Sequence, residues 1–233
     1  MGRIEHFFSR KAMNIAGGEA TVKLLVEAGL IKNIADLYSL NRDDLLQLER
    51  FAEKSADNLL ASIEKSKTVP YHRIIYSLGI RYVGETVAKI IAKYFSSIDK
   101  LILATEQQLA DIDEIGEVIA KSIVSFFANP QNIEIINTLK EKGVKLYTDD
   151  VYEPTSDKLK GLSIVISGSF EKHSRDELKK MIEDNGGKNQ SSVSKKTDYL
   201  LAGNKIGPSK LEKAEKFGVK IISEEEFLEL INN

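Results

Sequence analysis

Small residues recur along the first half of the chain at a nearly constant interval. Gly18, Ala52, Gly84 and Gly116 lie 34, 32 and 32 residues apart. Each is followed four residues later by a compact side chain: Val22, Ala56, Ala88 and Ala120. A fixed period in this range marks a repeated supersecondary unit. The third copy, "SLGIRYVGETVAK" (77–89), shows its form. Ile74, Ile75 and Leu78 precede a short interruption and Val87, Ile90 and Ile91 follow it, all at helical spacing. The unit reads as helix, tight turn, helix. Two helices that cross closely need a small side chain where they meet, and a turn that approaches another backbone or a ligand needs no Cβ.

Punctuation supports the same division. Asn41 with Asp44, and Thr105 with Gln108, have the spacing of helix N-caps. Pro70 separates the second unit from the third, Asn129-Pro130 is expected to end the fourth, and a short helix over about 133–142 closes the array at Gly143. Residues 1–146 are therefore expected to be all-helical, followed by a polar linker over 147–157 that carries Pro154. From 158 to 233 the pattern changes. "LSIVIS" (162–167), "DYLLAG" and "VKIIS" are β-branched or apolar runs of strand length. Helices alternate with them. One is opened by a Ser174/Glu177 capping box, one begins at Pro208 and ends at Gly218, and the last is capped by Ser223 with Glu226. Such alternation predicts a small, mainly parallel α/β sheet of four strands.

Composition narrows the chemistry. The net charge is −2, so any nucleic-acid contact must be local rather than a global basic field. There is no cysteine, which removes disulfides, thiolate zinc sites and cysteine nucleophiles. His6, His72 and His173 fall at no metal-ligand spacing and are expected to be ordinary surface or half-buried residues. No apolar run approaches the roughly 20 residues that span a bilayer, and no signal peptide is visible, so no membrane partner is expected. Met1-Gly2 is expected to be a start inside a longer protein.

A helix N-terminus presents N–H groups without intrahelical partners and a partial positive charge. A glycine turn ahead of it lets a phosphodiester oxygen come close. Several such turns on one rigid array can follow a nucleic-acid backbone without reading bases. Gly17, Gly18, Phe51, Ala52, Lys54, Arg81, Val83, Gly84, Thr86, Lys89 and Gly116 are the expected DNA-binding residues. Turns two and three are the stronger candidates. Turn four lies among Asp111, Asp113 and Glu114, which repel phosphate, and turn one looks shortened. Helical hairpins also occur in scaffolds with no nucleic-acid role.

The segments "KAMNIAGG", "LERFAEKSADNLLASIEKSK", "LGIRYVGETVAK" and "IDEIGEVIAKSIVSFF" closely resemble the four helix-hairpin-helix motifs of bacterial NAD-dependent DNA ligases. "LKGLSIVISGSF", "SRDELKKMIEDNGGK" and "GPSKLEKAEKFGVKII" resemble the BRCT domain that ends those ligases. The resemblance implies a helix-hairpin-helix array over 1–146 and a BRCT domain over 158–233. It further implies the DNA-gripping part of an enzyme that seals nicks in duplex DNA during replication and repair, in the bacterial cytoplasm and associated with the nucleoid. The array would grip the duplex on its minor-groove side. The family's lysine nucleophile in a Lys-x-Asp-Gly motif is absent: "KTDY" at Lys196 lacks the glycine and lies in the BRCT-like part. The four-cysteine zinc module is absent too. The fragment is thus expected to hold no cofactor and to be inactive alone, whereas the parent would use NAD, magnesium and structural zinc. The alternative is a stand-alone, non-enzymatic adaptor for DNA or phosphoproteins. Other departures are Ala16-Gly17-Gly18 for the usual Gly-Leu-Gly, Arg50-Phe51-Ala52 where a glycine pair is common, and Phe227 in place of a tryptophan.

In the second half, Ser167 and Gly168 end the first strand, where a parallel sheet presents ligand sites. With Arg175 and Lys210 they resemble the phosphate pocket of BRCT domains, in a version associated with recessed 5′-phosphate ends of DNA. The plain alternative is that Ser167 caps a turn and both cations are solvated. The implied partners are duplex DNA carrying a nick and a protein bound through the BRCT domain.

Overall fold

The computed structural model describes residues 1–49, 51–149 and 155–232. The chain divides into two compact units, Met1–Glu106 with Val118–Val151, and Gln107–Glu117 with Tyr152–Asn233. The expected linker over 147–157 lies partly outside the described residues, as does Arg50. No helix among the described residues is long and apolar enough to cross a membrane.

The first half is helical as its periodicity predicts. It runs through α1 (Gly2–Phe8), α2 (Glu19–Glu27), a 3-10 turn (Asp36–Ser39), α3 (Arg42–Leu46), α4 (Glu53–Ser66), α5 (Tyr71–Ser77) and α6 (Glu85–Tyr94). α7 (Ile98–Ile102), α8 (Glu106–Ala110), α9 (Glu117–Phe127) and α10 (Pro130–Glu141) follow. The packed hairpins are α3–α4 and α5–α6, and the fourth repeat holds α8 and α9. In turn one, α1 and α2 are joined by residues 9–18. α9 ends at Phe127, just before Asn129-Pro130, as expected; the closing helix starts earlier than about 133, because Asn129 caps α10 and Pro130 occupies its first turn, where a missing N–H costs nothing.

The compact residues lie where the helices cross. Val22, Ala56, Ala88 and Ala120 are all fully buried. Phe7, Leu25, Leu45, Leu59, Ile74, Ile75 and Leu78 pack the interior of the first unit. A half-buried arginine ties α1 to the third hairpin. Arg3 donates from Nε to the Leu78 carbonyl (3.0 Å) and from Nη1 to Asn132 Oδ1 (2.8 Å), with its guanidinium 5.0 Å from the Phe126 ring centre.

The second unit is a parallel four-stranded sheet in the order β2-β1-β3-β4, made of β1 (Ser163–Ser167), β2 (Lys188–Gln190), β3 (Tyr199–Ala202) and β4 (Lys220–Ile222). β1 is buried on both faces and its alternation divides two cores. Ile164 and Ile166 pack with Leu178, Ile182 and Phe227, from α11 (Arg175–Asp184) and α13 (Glu224–Asn232). Val165 packs with Leu200 and with Ala214 of α12 (Pro208–Phe217). Phe227, fully buried, is the aromatic anchor of α13. Both capping boxes form: the hydroxyls of Ser174 and Ser223 accept from the N–H of Glu177 and Glu226, whose carboxylates accept from the serine N–H groups.

Because the hairpin depends on close crossing, Ala88→Leu is expected to overpack α5 against α6 and cost about 1–3 kcal/mol. A denaturation midpoint followed by the helical signal measures this, and an unchanged midpoint would mean that the crossing has slack.

Candidate nucleic-acid interface

The turns are built alike. Phe51 N–H donates to the Leu48 carbonyl (3.1 Å), Val83 N–H to Ile80 (3.0 Å) and Ile115 N–H to Ile112 (3.0 Å), again at the 32-residue period. In turns three and four the apolar pairs Ile80/Val83 and Ile112/Ile115 are buried, which forces the residues between them outward. Tyr82 and Glu114, each two residues before the helix-starting glycine, share the left-handed conformation with φ 67°. That conformation is unfavourable for a side chain with a Cβ and persists only where the surroundings impose it. Tyr82 is half exposed and the Arg81 guanidinium stacks 4.9 Å from its ring centre. Ser122 of α9 donates to the Arg81 carbonyl at 2.7 Å and holds this turn from behind.

The helix starts that follow are open. Gly18, Ala52 and Gly84 are the N-caps of α2, α4 and α6, and no side chain caps any of the three. Asn41, Ser97 and Asn129 do cap α3, α7 and α10, whereas α1, α5 and α12 likewise start without a capping side chain. The glycines are what set the hairpin starts apart. A Cβ built at Gly18, Gly84 or Gly116 would meet no atom within 4 Å. Gly84, with φ −82°, is in a conformation open to any residue. Neither backbone strain nor packing inside this chain demands glycine there, so the space it leaves is available to something outside.

The individual residues differ in what they offer. Lys54 and Thr86 are exposed, each two residues after its N-cap, and Lys89 is exposed further along α6. Arg81 points to solvent, Phe51 is half-buried, and Val83 buries its side chain and leaves only its backbone for contact. Gly17 serves its own turn: φ is +121° and a Cβ would lie 2.9 Å from Thr21 Oγ1. The Ala16 N–H bonds Ser62 Oγ at 2.8 Å, which ties turn one to α4. Gly116 is as open as Gly84, but Val118 is 65% exposed where turns two and three have Lys54 and Thr86. Its neighbour Asp113 pairs with Lys179 (3.3 Å) and Asn189 (3.1 Å) within the second unit.

In the second unit, the chain leaves β1 toward one edge of the sheet and β3 toward the other. Ligand crevices of parallel sheets lie at such a switch point, outside the carboxyl ends of the strands. The two loops are zipped together here. Ser169 and Asn204 exchange two backbone hydrogen bonds of 2.7 Å, and a Cβ at Gly168 or Gly203 would come within 2.7 or 2.3 Å of the opposite loop's backbone. That closeness pulls Ser167 inside, where its hydroxyl accepts from the Gly207 N–H at 3.4 Å. Arg175 donates from Nε to the Gly168 carbonyl (2.8 Å), and Lys210 donates to the Ile166 carbonyl (3.0 Å). Burial, then the nearby Arg175 charge, hold the Lys210 ammonium below the usual amine range.

A cleft of about 430 Å³ opens beside them, lined by Gly168, Phe170, His173, Arg175, Asn204 and Lys205. Gly168 and Arg175 of the expected phosphate set line it, whereas Ser167 and Lys210 lie behind. His173, Asn204 and Lys205 were not anticipated. His173 Nδ1 is 2.8 Å from Glu224 Oε1 and Lys205 has φ 57°. Their position on loops after parallel strands was the only sequence signal for them.

The sequence contains no cysteine, and among the described residues no three His, Asp or Glu side chains converge on a metal position. A four-thiolate zinc site does not fit these residues.

Comparison with known proteins agrees with this anatomy. The SAM-like helix-hairpin-helix tandem matches residues 18–65, the helix-hairpin-helix motif residues 73–136, and the BRCA1 C-terminus (BRCT) domain residues 154–231. Proteins described as DNA ligase from Parabacteroides distasonis, Phocaeicola vulgatus and Christiangramia forsetii are each 56% identical over 99% of this chain. The chain spans only 35% of their length. The chain thus carries segments that match helix-hairpin-helix and BRCT models, and it is similar, over nearly all its residues, to the C-terminal part of bacterial DNA ligases.

Proposed function

We propose that this chain is the DNA-gripping portion of an NAD-dependent ligase that seals nicks in duplex DNA during replication and repair. The observation that carries the reading is the set of uncapped helix starts at Gly18, Ala52 and Gly84, with open space where a Cβ would stand at the glycines. Backbone N–H groups at such starts hold phosphate oxygens, and exposed Lys54, Arg81 and Lys89 add charge around them. Contacts of this kind hold the duplex without choosing a sequence and keep the ends of a nick aligned, and proximity alone accounts for large rate factors in joining reactions. NAD, magnesium and zinc would then serve the remainder of a whole ligase, working in the bacterial cytoplasm beside the nucleoid.

The BRCT unit would take the 5′-phosphate of the nick. Lys210 feels the charge of Arg175, and an anion beside them relieves that repulsion. A protein partner on the same domain is the competing use of this surface.

Gly84→Asp tests the first contact by moving two quantities in opposite directions. Aspartate is a favoured N-cap, so stability should hold or rise by a few tenths of a kcal/mol. The same carboxylate fills the proposed phosphate position. Affinity for duplex DNA should therefore fall about tenfold or more, equally for unrelated sequences. Unchanged affinity in the folded variant would make this turn a packing device only.

For the BRCT unit, the chain should bind a nicked duplex ending in a 5′-phosphate more tightly than the same duplex with a 5′-hydroxyl, by about tenfold. Arg175→Ala and Lys210→Ala should each shrink that difference. Competition titration with the matched duplexes decides it. Equal affinity for the two ends would leave the domain to a protein partner.

A further inference from the structure

Between α1 and α2 the chain carries two exposed cations that the contacts above leave unused, Arg10 and Lys11. Their backbone is firmly held. Arg73 of α5 donates from Nε to the carbonyls of Ala12 (2.8 Å) and Lys11 (3.2 Å) and from Nη2 to that of Arg10 (2.5 Å). A guanidinium is a rigid planar fork, so three successive carbonyls gathered on it fix the path of the segment. Ala12 and Met13 anchor the next residues in the core.

The clamped segment faces two helix starts. Arg10 lines a cleft of about 280 Å³ with Asn14, Gly17 and Gly18, at the beginning of α2. Lys11 Nζ lies 2.8 Å from Glu85 Oε1, on the first residue of α6. That pair is mostly solvated, with the lysine side chain 71% and the glutamate 41% exposed. Exposed pairs are weak and exchange readily. The Glu85 carboxylate stands beside the open N-terminus at Gly84, next to where a phosphate would sit. A phosphodiester arriving there offers Lys11 the same kind of oxygen, and Glu85 is released to water.

We infer that Arg10 and Lys11 are phosphate-contact residues joining turn one and turn three into one backbone-tracking surface, and that Arg73 is the residue that positions them. The inference rests on the DNA-backbone reading of the turns.

The test is the salt dependence of binding of the full chain to a fluorescent duplex with one central nick. Each lost phosphate contact should flatten the slope of log K against log salt by about 0.9. Arg10→Ala should do so. For Lys11 the informative variant is Lys11→Ala combined with Glu85→Ala, because Lys11→Ala alone also exposes a repelling carboxylate. A flatter slope in the pair supports direct contact, and a wild-type slope and affinity would mean that Lys11 only neutralises Glu85. Arg73→Lys keeps the charge but loses the fork. It should weaken binding in the wild-type background and change nothing further when Arg10 and Lys11 are both alanine. An equal loss in both backgrounds would overturn the positioning role. Gly84→Asp separates the levels. If it weakens binding while the Arg10 and Lys11 variants keep the wild-type slope, this inference alone fails; if it leaves binding intact, the reading beneath fails.

Discussion

The close crossing of paired helices governs the helical half of this protein. Ala88 is fully buried between α5 and α6, and Ala56 and Ala120 stand at the same place in the neighbouring hairpins. A larger side chain there would wedge the helices apart. Close crossing leaves only a short connection, so the turn must bury its two apolar residues and expose what lies between. Tyr82 and Glu114 are consequently driven into the left-handed region. The start of the second helix is left facing outward without a capping side chain. The open N–H groups are thus a consequence of packing, obtained without a dedicated loop.

The second unit gathers its cations by another route. Its four strands are parallel, so the carboxyl ends of β1 and β3 and the N-termini of α11 and α12 gather at one end of the sheet. Gly168 and Gly203 draw the two loops into backbone contact. This contact withdraws Ser167 from the surface and brings Arg175 and Lys210 onto carbonyls at the same edge. The two loops are tied to each other by backbone hydrogen bonds, where the hairpin turns leave their helix starts open.

Glycine has opposite meanings in the two units. At Gly168 and Gly203 the missing Cβ is filled by the chain's own backbone; at Gly18 and Gly84 it is filled by nothing. Both kinds look alike in a one-dimensional string. Cations divide in the same way. Arg3 and Arg73 spend their donors on carbonyls within the fold, while Arg10, Lys54, Arg81 and Lys89 remain at the surface. Charge counted along the sequence does not distinguish a structural clamp from a contact.

Periodicity and local chemistry were sufficient for the elements themselves. The 32-residue repeat, the Asn41 cap, the capping boxes at Ser174 and Ser223, and the strand at 163–167 depend on neighbours a few residues away, and each forms as its residues dictate. The exceptions are instructive. β2 is three polar residues, Lys188–Gln190, which become a strand only because β1 offers an unpaired edge. Residues 9–15 double back onto Phe7 and Phe8 before α2 begins, with the Met13 and Ile15 N–H groups donating to their carbonyls. Ser167 and Lys210, legible as a motif, sit behind the cleft that His173 and Lys205 line. Sequence by itself determined which segments are helices and strands and where the small residues fall, since those follow from short-range sterics and hydrophobic period. Only the tertiary structure decided which polar groups are spent inside and which remain available, because that depends on contacts between residues distant in the chain, such as Arg73 with Arg10 and Arg3 with Leu78.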